Sequence, residues 1–213
     1  MPRSPSSRAG AGVVIPVRSF TFGKSRLIGA FGTGAFATKE HETFVRGLAD
    51  RAVDAASPRP TAIVTSAPEV REWATGRNLV VVPDPGSLDG AADAGRTWAA
   101  GQGLARVLIV HADLPDIVSL DAVAGDGATA VAVIVPCHRR DGSPVVSIPV
   151  EPVPGSPPFA FAYGPGSFTR HCAEAARAGL ELRVVVDDAM GFDIDGPDDL
   201  AIVLARGRVA PDQ

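Results

Sequence analysis

A carboxylate follows directly after a segment that is expected to be a buried strand. Residues Val107–Val110 form a continuous apolar run rich in β-branched side chains, the pattern of a strand buried on both faces. Asp113 comes shortly after this run, and Pro115 cannot continue a strand ladder. Because ligands of open parallel α/β sheets bind outside the carboxyl ends of the strands, Asp113 is a candidate for metal binding or phosphate chemistry. The competing interpretation is that Asp113 only caps a helix beginning near Asp116.

Three cationic side chains follow the first expected strand, Val13–Val17: Arg18, Lys24 and Arg26. Arginine forks onto phosphate oxygens and lysine supplies a compact charge, so this loop suits a polyphosphate. Only the tripeptide Gly-Lys-Ser of the Walker pattern is present, which disfavours a P-loop kinase. A solvated basic surface loop is the alternative.

A second acidic motif lies near the end of the chain. Asp193 and Asp195 flank one residue, so both side chains project to the same side of an extended backbone. Two such carboxylates repel each other unless a cation lies between them, and oxygen ligands favour Mg²⁺ or Mn²⁺. A helix is expected to begin at Pro197, which makes Asp198 and Asp199 partners of the helix dipole rather than catalysts.

Two further loops follow expected strands and could contribute to a site. Tyr163–Phe168 combines glycines with Ser167 at an expected helix start, so its N–H groups and hydroxyl could bind an anion. A plain tight turn explains this segment nearly as well. Asp84–Gly90 follows the third expected strand. His111 lies beside Asp113, and we interpret it as a structural histidine.

The elements that would position these residues alternate between strands and helices. Apolar runs predict strands at Val13–Val17, Ala62–Thr65, Leu79–Val82, Val107–Val110, Ala130–Val135, Val145–Val150, Phe159–Ala162 and Leu182–Val186. Helical spacing predicts helices at Thr38–Ala56, Ser66–Ala74 with a capping box, Ala91–Ala100, Asp116–Val123, Ser167–Ala178 and from Pro197 onward. We therefore expect an α/β fold with a mostly parallel central sheet, helices on both faces and a small antiparallel excursion.

Composition limits the classes of function. The chain of 213 residues has a formal net charge of −4, so it lacks the basic footprint of a nucleic-acid-binding protein. Its two cysteines have no metal-ligand spacing. No apolar run is long enough to span a membrane, and the amino-terminal stretch is polar. We expect a cytoplasmic monomer or homodimer, with a disordered leader at 1–12 and one domain at 13–213.

The cationic loop and the two acidic sites together describe one task. Carboxylates of Asp113, Asp193 and Asp195 would hold Mg²⁺, while lysine and arginine neutralise a triphosphate. A nucleophile would then attack the α-phosphorus and pyrophosphate would leave. Such a transfer needs mainly positioning and charge neutralisation, which these residue types supply.

The motifs resemble those of a known family, the 2-phospho-L-lactate or phosphoenolpyruvate guanylyltransferases of coenzyme F420 biosynthesis. The resemblance covers the chain from Val13 to Ala205. It is carried by the segments Ile15–Leu27 (Ile-Pro-Val-Arg-Ser-Phe-Thr-Phe-Gly-Lys-Ser-Arg-Leu), Ala112–Pro115 (Ala-Asp-Leu-Pro), Tyr163–Ser167 (Tyr-Gly-Pro-Gly-Ser) and Phe192–Leu200 (Phe-Asp-Ile-Asp-Gly-Pro-Asp-Asp-Leu).

This resemblance implies a Rossmann-like nucleotidyltransferase similar in fold to the molybdenum-cofactor guanylyltransferases. It implies GTP as substrate, Mg²⁺ as cofactor and a small phospho-acid as acceptor of GMP. By position, the metal ligands would be Asp113, Asp193 and Asp195. The residues facing the triphosphate would be Lys24, Arg18 and Arg26, and those contacting the acceptor would be Ser143, Gly164 and Ser167.

Two departures from the family pattern leave alternatives open. Asp89 stands where the family has asparagine, and an ionised aspartate only accepts hydrogen bonds, so Asp89 beside the substrates could alter base or acceptor choice. The segment around Ser143 also differs from the family's Gly/Thr-rich run. The chain could instead be a related nucleotidyltransferase, although it lacks their Gly-x-Gly-x-Arg loop. Two other functions remain open, namely an Asp-x-Asp glycosyltransferase and a catalytically silent nucleotide-binding homologue.

Overall fold

A central β-sheet runs through the protein, for which we analysed a computed structural model that describes residues 10–31, 35–125 and 130–206. In the described chain the strands are β1 (Ala11–Pro16), β2 (Thr61–Val64), β3 (Val80–Val82), β4 (Arg106–Val110), β5 (Val131–Val135), β6 (Val145–Pro149) and β7 (Glu181–Val184). Their order across the sheet is β3-β2-β1-β4-β6-β5-β7. All neighbouring pairs are parallel except those that involve β6. The predicted mostly parallel sheet with a small antiparallel excursion is therefore confirmed.

Helices cover both faces of this sheet. They are α1 (Ala35–Ala56), α2 (Pro68–Gly76), α3 (Leu88–Gly101), α4 (Asp121–Ala124), α5 (Ser167–Arg177), α6 (Asp188–Gly191) and α7 (Pro197–Ala205), with a 3₁₀ helix at Ser25–Phe31. On one face, side chains of α1, α2 and α7 form a buried cluster that includes Val13 and Ile15 of β1. On the other face, side chains of α3 and α5 belong to a second buried cluster that includes Val14. The alternation follows from the pleat, which sends successive side chains to opposite faces.

The reversed strand β6 brings its amino end to the edge where the parallel strands have their carboxyl ends. Val145, the first residue of β6, pairs with Val110, the last residue of β4, and with Val135, the last residue of β5. Loops that leave β1, β4 and β5 therefore meet the loop that enters β6. Ser143 lies just before β6 and is thus placed at the same edge as Asp113.

The predicted strand Phe159–Ala162 is wrong. Phe159 and Phe161 are buried, so the alternating pattern is real, but no ladder forms there. Side chains, rather than a neighbouring strand, form hydrogen bonds with the backbone of this segment. Arg96 Nη1 donates to the carbonyl of Phe159 (2.6 Å), and Glu174 Oε1 accepts from the N–H of Ala160 (2.7 Å). An extended segment satisfied by side chains carries the same hydrophobic signal as a strand.

Helix boundaries required further corrections. The predicted helix Asp116–Val123 is reduced to the single turn of α4, and residues 116–120 form turns and irregular structure. The helical pattern in the sequence arises because Leu114, Ile117 and Leu120 are buried at a spacing of three residues. Helix α6 and the 3₁₀ helix were not predicted. The leader expected at 1–12 falls largely on residues 1–9, which lie outside the described residues, and β1 begins at Ala11.

The capping box predicted at Ser66–Glu69 is also wrong. The N-cap of α2 is Ala67, which has no side-chain cap, and proline follows it as expected. The Ser66 hydroxyl donates to the carbonyl of Asp84 (3.0 Å). Glu69 is used elsewhere, because it accepts a hydrogen bond from Ser19.

None of the described helices is both long and apolar enough to cross a membrane.

The contact between α3 and β1 is tight enough to be tested by a single methyl group. A Cβ at Gly95 would lie 2.3 Å from Val14 Cγ1, whereas a Cβ at Gly47 in α1 would meet no atom within 4 Å. We expect Gly95→Ala to lower the free energy of unfolding by about 1–3 kcal/mol through overpacking. Gly47→Ala should raise it by up to about 1 kcal/mol through helix propensity. Urea unfolding measures both, and equal effects of the two variants would contradict this packing.

Candidate active site

The loop after β1 carries Lys24 into the site in a constrained conformation. Lys24 has φ of +54°, a left-handed backbone that is uncommon for residues other than glycine. The preceding Gly23 donates its N–H to the carbonyl of Ser19 (3.0 Å), and a Cβ at Gly23 would lie 2.1 Å from that oxygen. Only glycine fits this turn, so the turn fixes where Lys24 begins.

Glu69 of α2 secures the start of the same loop. Its carboxylate accepts the Ser19 hydroxyl (2.6 Å), and Ser19 Oγ in turn accepts the N–H groups of Thr21 (3.2 Å) and Phe22 (3.1 Å). Burial opposes the charge of Glu69, but the Ser19 hydroxyl and nearby backbone N–H groups outweigh it and hold the pKa of the carboxyl below its usual value. Glu42 of α1 accepts the Thr21 hydroxyl (2.9 Å). Two helices thereby fix the loop that precedes Lys24.

The Lys24 ammonium contacts carboxylates from both acidic segments. It forms an ion pair with Asp113, after β4, and lies 3.2 Å from Asp195 Oδ1. Burial alone would lower the pKa of Lys24, but the attraction of Asp113 and Asp195 outweighs it and raises that pKa. Burial would likewise raise the pKa of Asp113, and Lys24 and His111 reverse this shift. Each charge is thus kept ionised by its partner.

Asp193 is the carboxylate without a direct lysine contact. It is 7% exposed, and burial together with repulsion from Asp113 and Asp195 raises its pKa to about 6. His138 Nδ1 lies 3.3 Å from Asp193 Oδ1 without the alignment of a hydrogen bond. The N–H of Ile194 donates to the carbonyl of Asp113 (3.2 Å), which ties the two acidic segments together.

Asp199 supports the acidic loop as a helix-start residue. Its Oδ2 accepts the N–H groups of Asp195 (2.9 Å) and Gly196 (3.1 Å). Its Oδ1 accepts from Arg139 Nη2 (2.5 Å), and Arg139 Nη1 lies 3.8 Å from Asp195 Oδ2. Asp199 therefore has the structural role that its place in the first turn of α7 predicts. Arg139 had no sequence signal, because its partner lies sixty residues away.

The donor set suits a hard divalent cation, although its arrangement is not a closed cage. Asp113 Oδ1 and Asp193 Oδ1 are buried and have no hydrogen-bond partner in the described chain. Unsatisfied buried carboxylate oxygens are ligands of the type that Mg²⁺ takes. Within the described ranges, no three acidic, histidine or cysteine residues converge as a metal cluster, and Lys24 lies against two of the carboxylates.

A cavity of about 390 Å³ opens in front of these groups. Its lining includes the three predicted cations and two of the predicted carboxylates, namely Arg18, Lys24, Arg26, Asp113 and Asp195. His111 also lines it, with Nε2 buried and without a partner in the described chain. Burial is the main reason that the pKa of His111 is lowered. The cavity has room and charge for the phosphates of a nucleotide.

The residues expected around an acceptor form a second cluster at the same edge. Ser143 Oγ lies 3.2 Å from Ser167 Oγ and 2.6 Å from Nδ1 of His171, and all three residues are buried. Asp89 Oδ1 accepts the N–H of Tyr163 (2.6 Å), and the Tyr163 ring lies 5.4 Å from the ring of His111. The second cluster therefore borders the cavity through His111 and Tyr163.

The glycine-rich turn before α5 offers fewer N–H groups than its sequence suggests. Asp89 occupies the N–H of Tyr163, and Asp141 Oδ1 occupies that of Gly166 (2.8 Å). In the described chain, the N–H of Gly164 has no such partner. The alternative interpretation as a tight turn thus explains most of this segment. Gly166 is the N-cap of α5 with φ of +73°, so Ser167 is the first helical residue rather than the predicted cap.

His171 was missed by the sequence reading. It lies four residues after Ser167 on α5, so both side chains project from one helix face. That face is buried, and the polar i, i+4 pair within it was the available signal. Glu69 was predicted only as part of a capping box.

Comparison with known proteins finds relatives that cover most of this chain. The profile described as "Guanylyl transferase CofC like" matches residues 11–210. A phosphoenolpyruvate guanylyltransferase from Rubrobacter xylanophilus is 33% identical over 211 residues, covering 92% of this chain and 94% of that protein. One of the same name from Sphaerobacter thermophilus is 34% identical over 196 residues, covering 88% and 89%.

Solved structures share the fold at low identity. A nucleotidyl transferase from Methanothermobacter aligns with a TM-score of 0.61 and 15% identity, covering 92% of this chain and 97% of that one. A 4-diphosphocytidyl-2C-methyl-D-erythritol synthase from Anaerococcus prevotii aligns with a TM-score of 0.59 and 11% identity, covering 94% and 97%. The sheet and its helices are thus of the Rossmann-like nucleotidyltransferase type.

The raised pKa of Asp193 predicts a stabilising substitution. The folded state binds the Asp193 proton more tightly than the unfolded chain does, so stability falls as pH rises from about 4 to about 6. Above that window Asp193 is ionised, and its burial and its repulsion from Asp113 and Asp195 lower the free energy of unfolding by their full amount. In metal-free protein with EDTA, we expect Asp193→Asn to raise the free energy of unfolding at about pH 8 by about 1–3 kcal/mol, and far less at about pH 4.

Asp198→Asn is the matched control, because Asp198 is exposed in the first turn of α7. It should lose a small helix-dipole contribution and show no pH-dependent stabilisation. Denaturant unfolding at both pH values measures the difference. An Asp193→Asn protein that is less stable than the parent at about pH 8 would show that the carboxylate is well satisfied.

Proposed function

Because this chain belongs to the guanylyl transferase CofC-like family, we propose that it transfers GMP from GTP to phosphoenolpyruvate or 2-phospho-L-lactate and releases pyrophosphate. The match confirms the resemblance carried by the sequence motifs. The chain is a nucleotidyltransferase. The observation that carries the proposal is the Lys24 ammonium held between Asp113 and Asp195 at the wall of a cationic cavity.

The proposed chemistry is an in-line displacement at phosphorus. A phosphate oxygen of the acceptor attacks the α-phosphorus of GTP and forms a new P–O bond. The bond from the α-phosphorus to the oxygen that bridges it to the β-phosphorus breaks, and that oxygen leaves with pyrophosphate. Lys24, Arg18 and Arg26 would neutralise the phosphate oxygens, so that two anions can approach each other and the leaving group is stabilised.

Mg²⁺ is the proposed cofactor, with Asp113, Asp193 and Asp195 as its ligands. The support is chemical: buried carboxylate oxygens without partners, and repulsion between them that a cation would relieve. When bound, the ion would supply charge neutralisation at the triphosphate. Without the ion, burial together with repulsion from Asp113 and Asp195 raises the pKa of Asp193, and Lys24 pairs with those two carboxylates.

The acceptor would be a small phospho-acid recognised by Ser143, Ser167 and Gly164. Hydroxyl and N–H donors at the start of α5 suit an anion. The border formed by His111 and Tyr163 would let the acceptor phosphate reach the nucleotide cavity. Asp89 lies behind the glycine turn, where it holds the N–H of Tyr163, and would influence acceptor choice by shaping that turn. The proposed place of the reaction is coenzyme F420 biosynthesis.

Pyrophosphate release tests the proposal directly. The protein is incubated with Mg²⁺, each of the four ribonucleoside triphosphates, and either phosphoenolpyruvate or 2-phospho-L-lactate. We expect release that requires GTP, a phospho-acid and Mg²⁺ together. Release with a different base or acceptor would indicate a related nucleotidyltransferase, and GTP binding without release for any acceptor would indicate a catalytically silent homologue.

The two lysines of the chain offer a matched pair for testing the cationic loop. Lys24→Met should reduce kcat by about 100-fold or more, because a charge aimed at the phosphates is removed. Lys39→Met removes the same charge from an exposed position on α1 and should change kcat less than about twofold. Melting temperatures and steady-state rates are measured for both. Full activity of a folded Lys24→Met protein would contradict the assignment.

A further inference from the structure

We propose that His171 is a positioning residue that fixes the direction of a hydrogen-bond relay, so that the Ser167 hydroxyl donates outward to the acceptor anion. The relay consists of Ala162 N–H, His171, Ser143 and Ser167. The inference rests on the proposed function in one respect, namely that the acceptor lies at the start of α5. The relay itself is read from contacts that do not depend on the substrate.

The tautomer of His171 follows from its two hydrogen bonds. The N–H of Ala162 donates to Nε2 (2.9 Å), and because a backbone N–H can only donate, Nε2 carries a lone pair. The imidazole is therefore neutral and its proton resides on Nδ1. Nδ1 lies 2.6 Å from Ser143 Oγ, so the histidine donates to this hydroxyl.

Burial agrees with the neutral form. His171 is fully buried, and the ring of Tyr163 lies 4.7 Å away in an edge-on orientation, with Phe159 and Phe161 nearby. Burial is the main reason that the pKa of His171 falls to about 4, against a weaker opposing effect of Asp89. A second proton on Nε2 would also point at the N–H of Ala162.

One orientation of the two serines satisfies every group of the relay. Ser143 Oγ accepts from His171, and its own proton finds an acceptor in its other neighbour, Ser167 Oγ at 3.2 Å. The reverse bond, from Ser167 to Ser143, would leave the proton of the buried Ser143 without an acceptor side chain in the described chain, so the first orientation is favoured. Ser167 accepts that bond and keeps its own proton free to donate away from the cluster. In the described chain no other side chain is bonded to either hydroxyl.

This orientation makes the Ser167 hydroxyl a hydrogen-bond donor beside a second donor, the N–H of Gly164. Ser167 is the first residue of α5, and the nearby N–H of Gly164 has no partner in the described chain. Without the histidine donor, Ser143 could turn its proton toward residue 171, and Ser167 would then donate to Ser143. The anion would lose one hydrogen-bond donor although both serines remain in place.

Two substitutions at residue 171 separate the two bonds of the ring. The amide of asparagine reaches the place of Nδ1 and can still donate to Ser143, whereas that of glutamine reaches the place of Nε2 and can still accept from Ala162. We expect His171→Gln to raise the acceptor KM about tenfold, while the GTP KM changes less than about twofold. His171→Asn should keep the acceptor KM within about threefold of the parent.

A merely structural role predicts a different pattern. If both variants raise the acceptor KM equally, or if the GTP KM rises in step with it, the relay is wrong. A harmful His171→Asn with a silent His171→Gln would also overturn it, because the bond to Ala162 would then be the important one. A parent protein without turnover on any phospho-acid would instead refute the proposed function.

The tautomer is tested without turnover, by heteronuclear NMR of the full chain with isotopically labelled histidine. His171→Asn identifies the His171 signal by its absence. We expect ring nitrogen shifts of a neutral imidazole with the proton on Nδ1 near neutral pH. A proton on Nε2, or an imidazolium, would overturn the relay, whatever the enzyme assays show.

Discussion

Three carboxylates from two distant segments share one edge of the sheet, and one lysine ammonium offsets their repulsion. Asp113 follows β4, while Asp193 and Asp195 precede α7. Lys24 contacts the first and the last of these. It does not contact Asp193, whose pKa is raised by burial and by repulsion from the other two carboxylates. Neighbouring residues hold these charges in place. A turn that only glycine can form and the carboxylate of Glu69 fix the loop of Lys24, and Arg139 supports the acidic loop.

Strand direction explains why a second functional cluster lies beside the first. The reversed strand β6 delivers Ser143 to the edge where β1 and β4 deliver Lys24 and Asp113. Helix α5 then supplies Ser167 and His171 from one buried face. A cluster that donates hydrogen bonds thus borders a cavity that is lined by cationic side chains. Both suit anionic substrates that must react with each other.

The sequence was sufficient for the features that depend on local pattern. Apolar runs located β1, β2, β4 and β5 to within a few residues, and parallel topology implied that Lys24 and Asp113 would lie at one edge. The sequence pattern gave wrong predictions where hydrogen-bond partners distant in the sequence determine the local structure. Phe159–Ala162 alternates like a strand, but side chains of α3 and α5 bond its backbone. Glu69 matches a capping box, yet it bonds the loop fifty residues earlier.

The central claim is that the centre formed by Lys24, Asp113 and Asp195 carries out nucleotidyl transfer. The most direct measurement follows GTP radiolabelled at the α-phosphorus, with phosphoenolpyruvate and Mg²⁺, in the parent protein and in Asp113→Asn. The account predicts that label moves to the acceptor in the parent. In Asp113→Asn it predicts that transfer is lost while the protein stays folded at the assay temperature, although loss of the ion pair with Lys24 lowers the melting temperature. Continued transfer by Asp113→Asn, or its loss only through unfolding, would contradict the account.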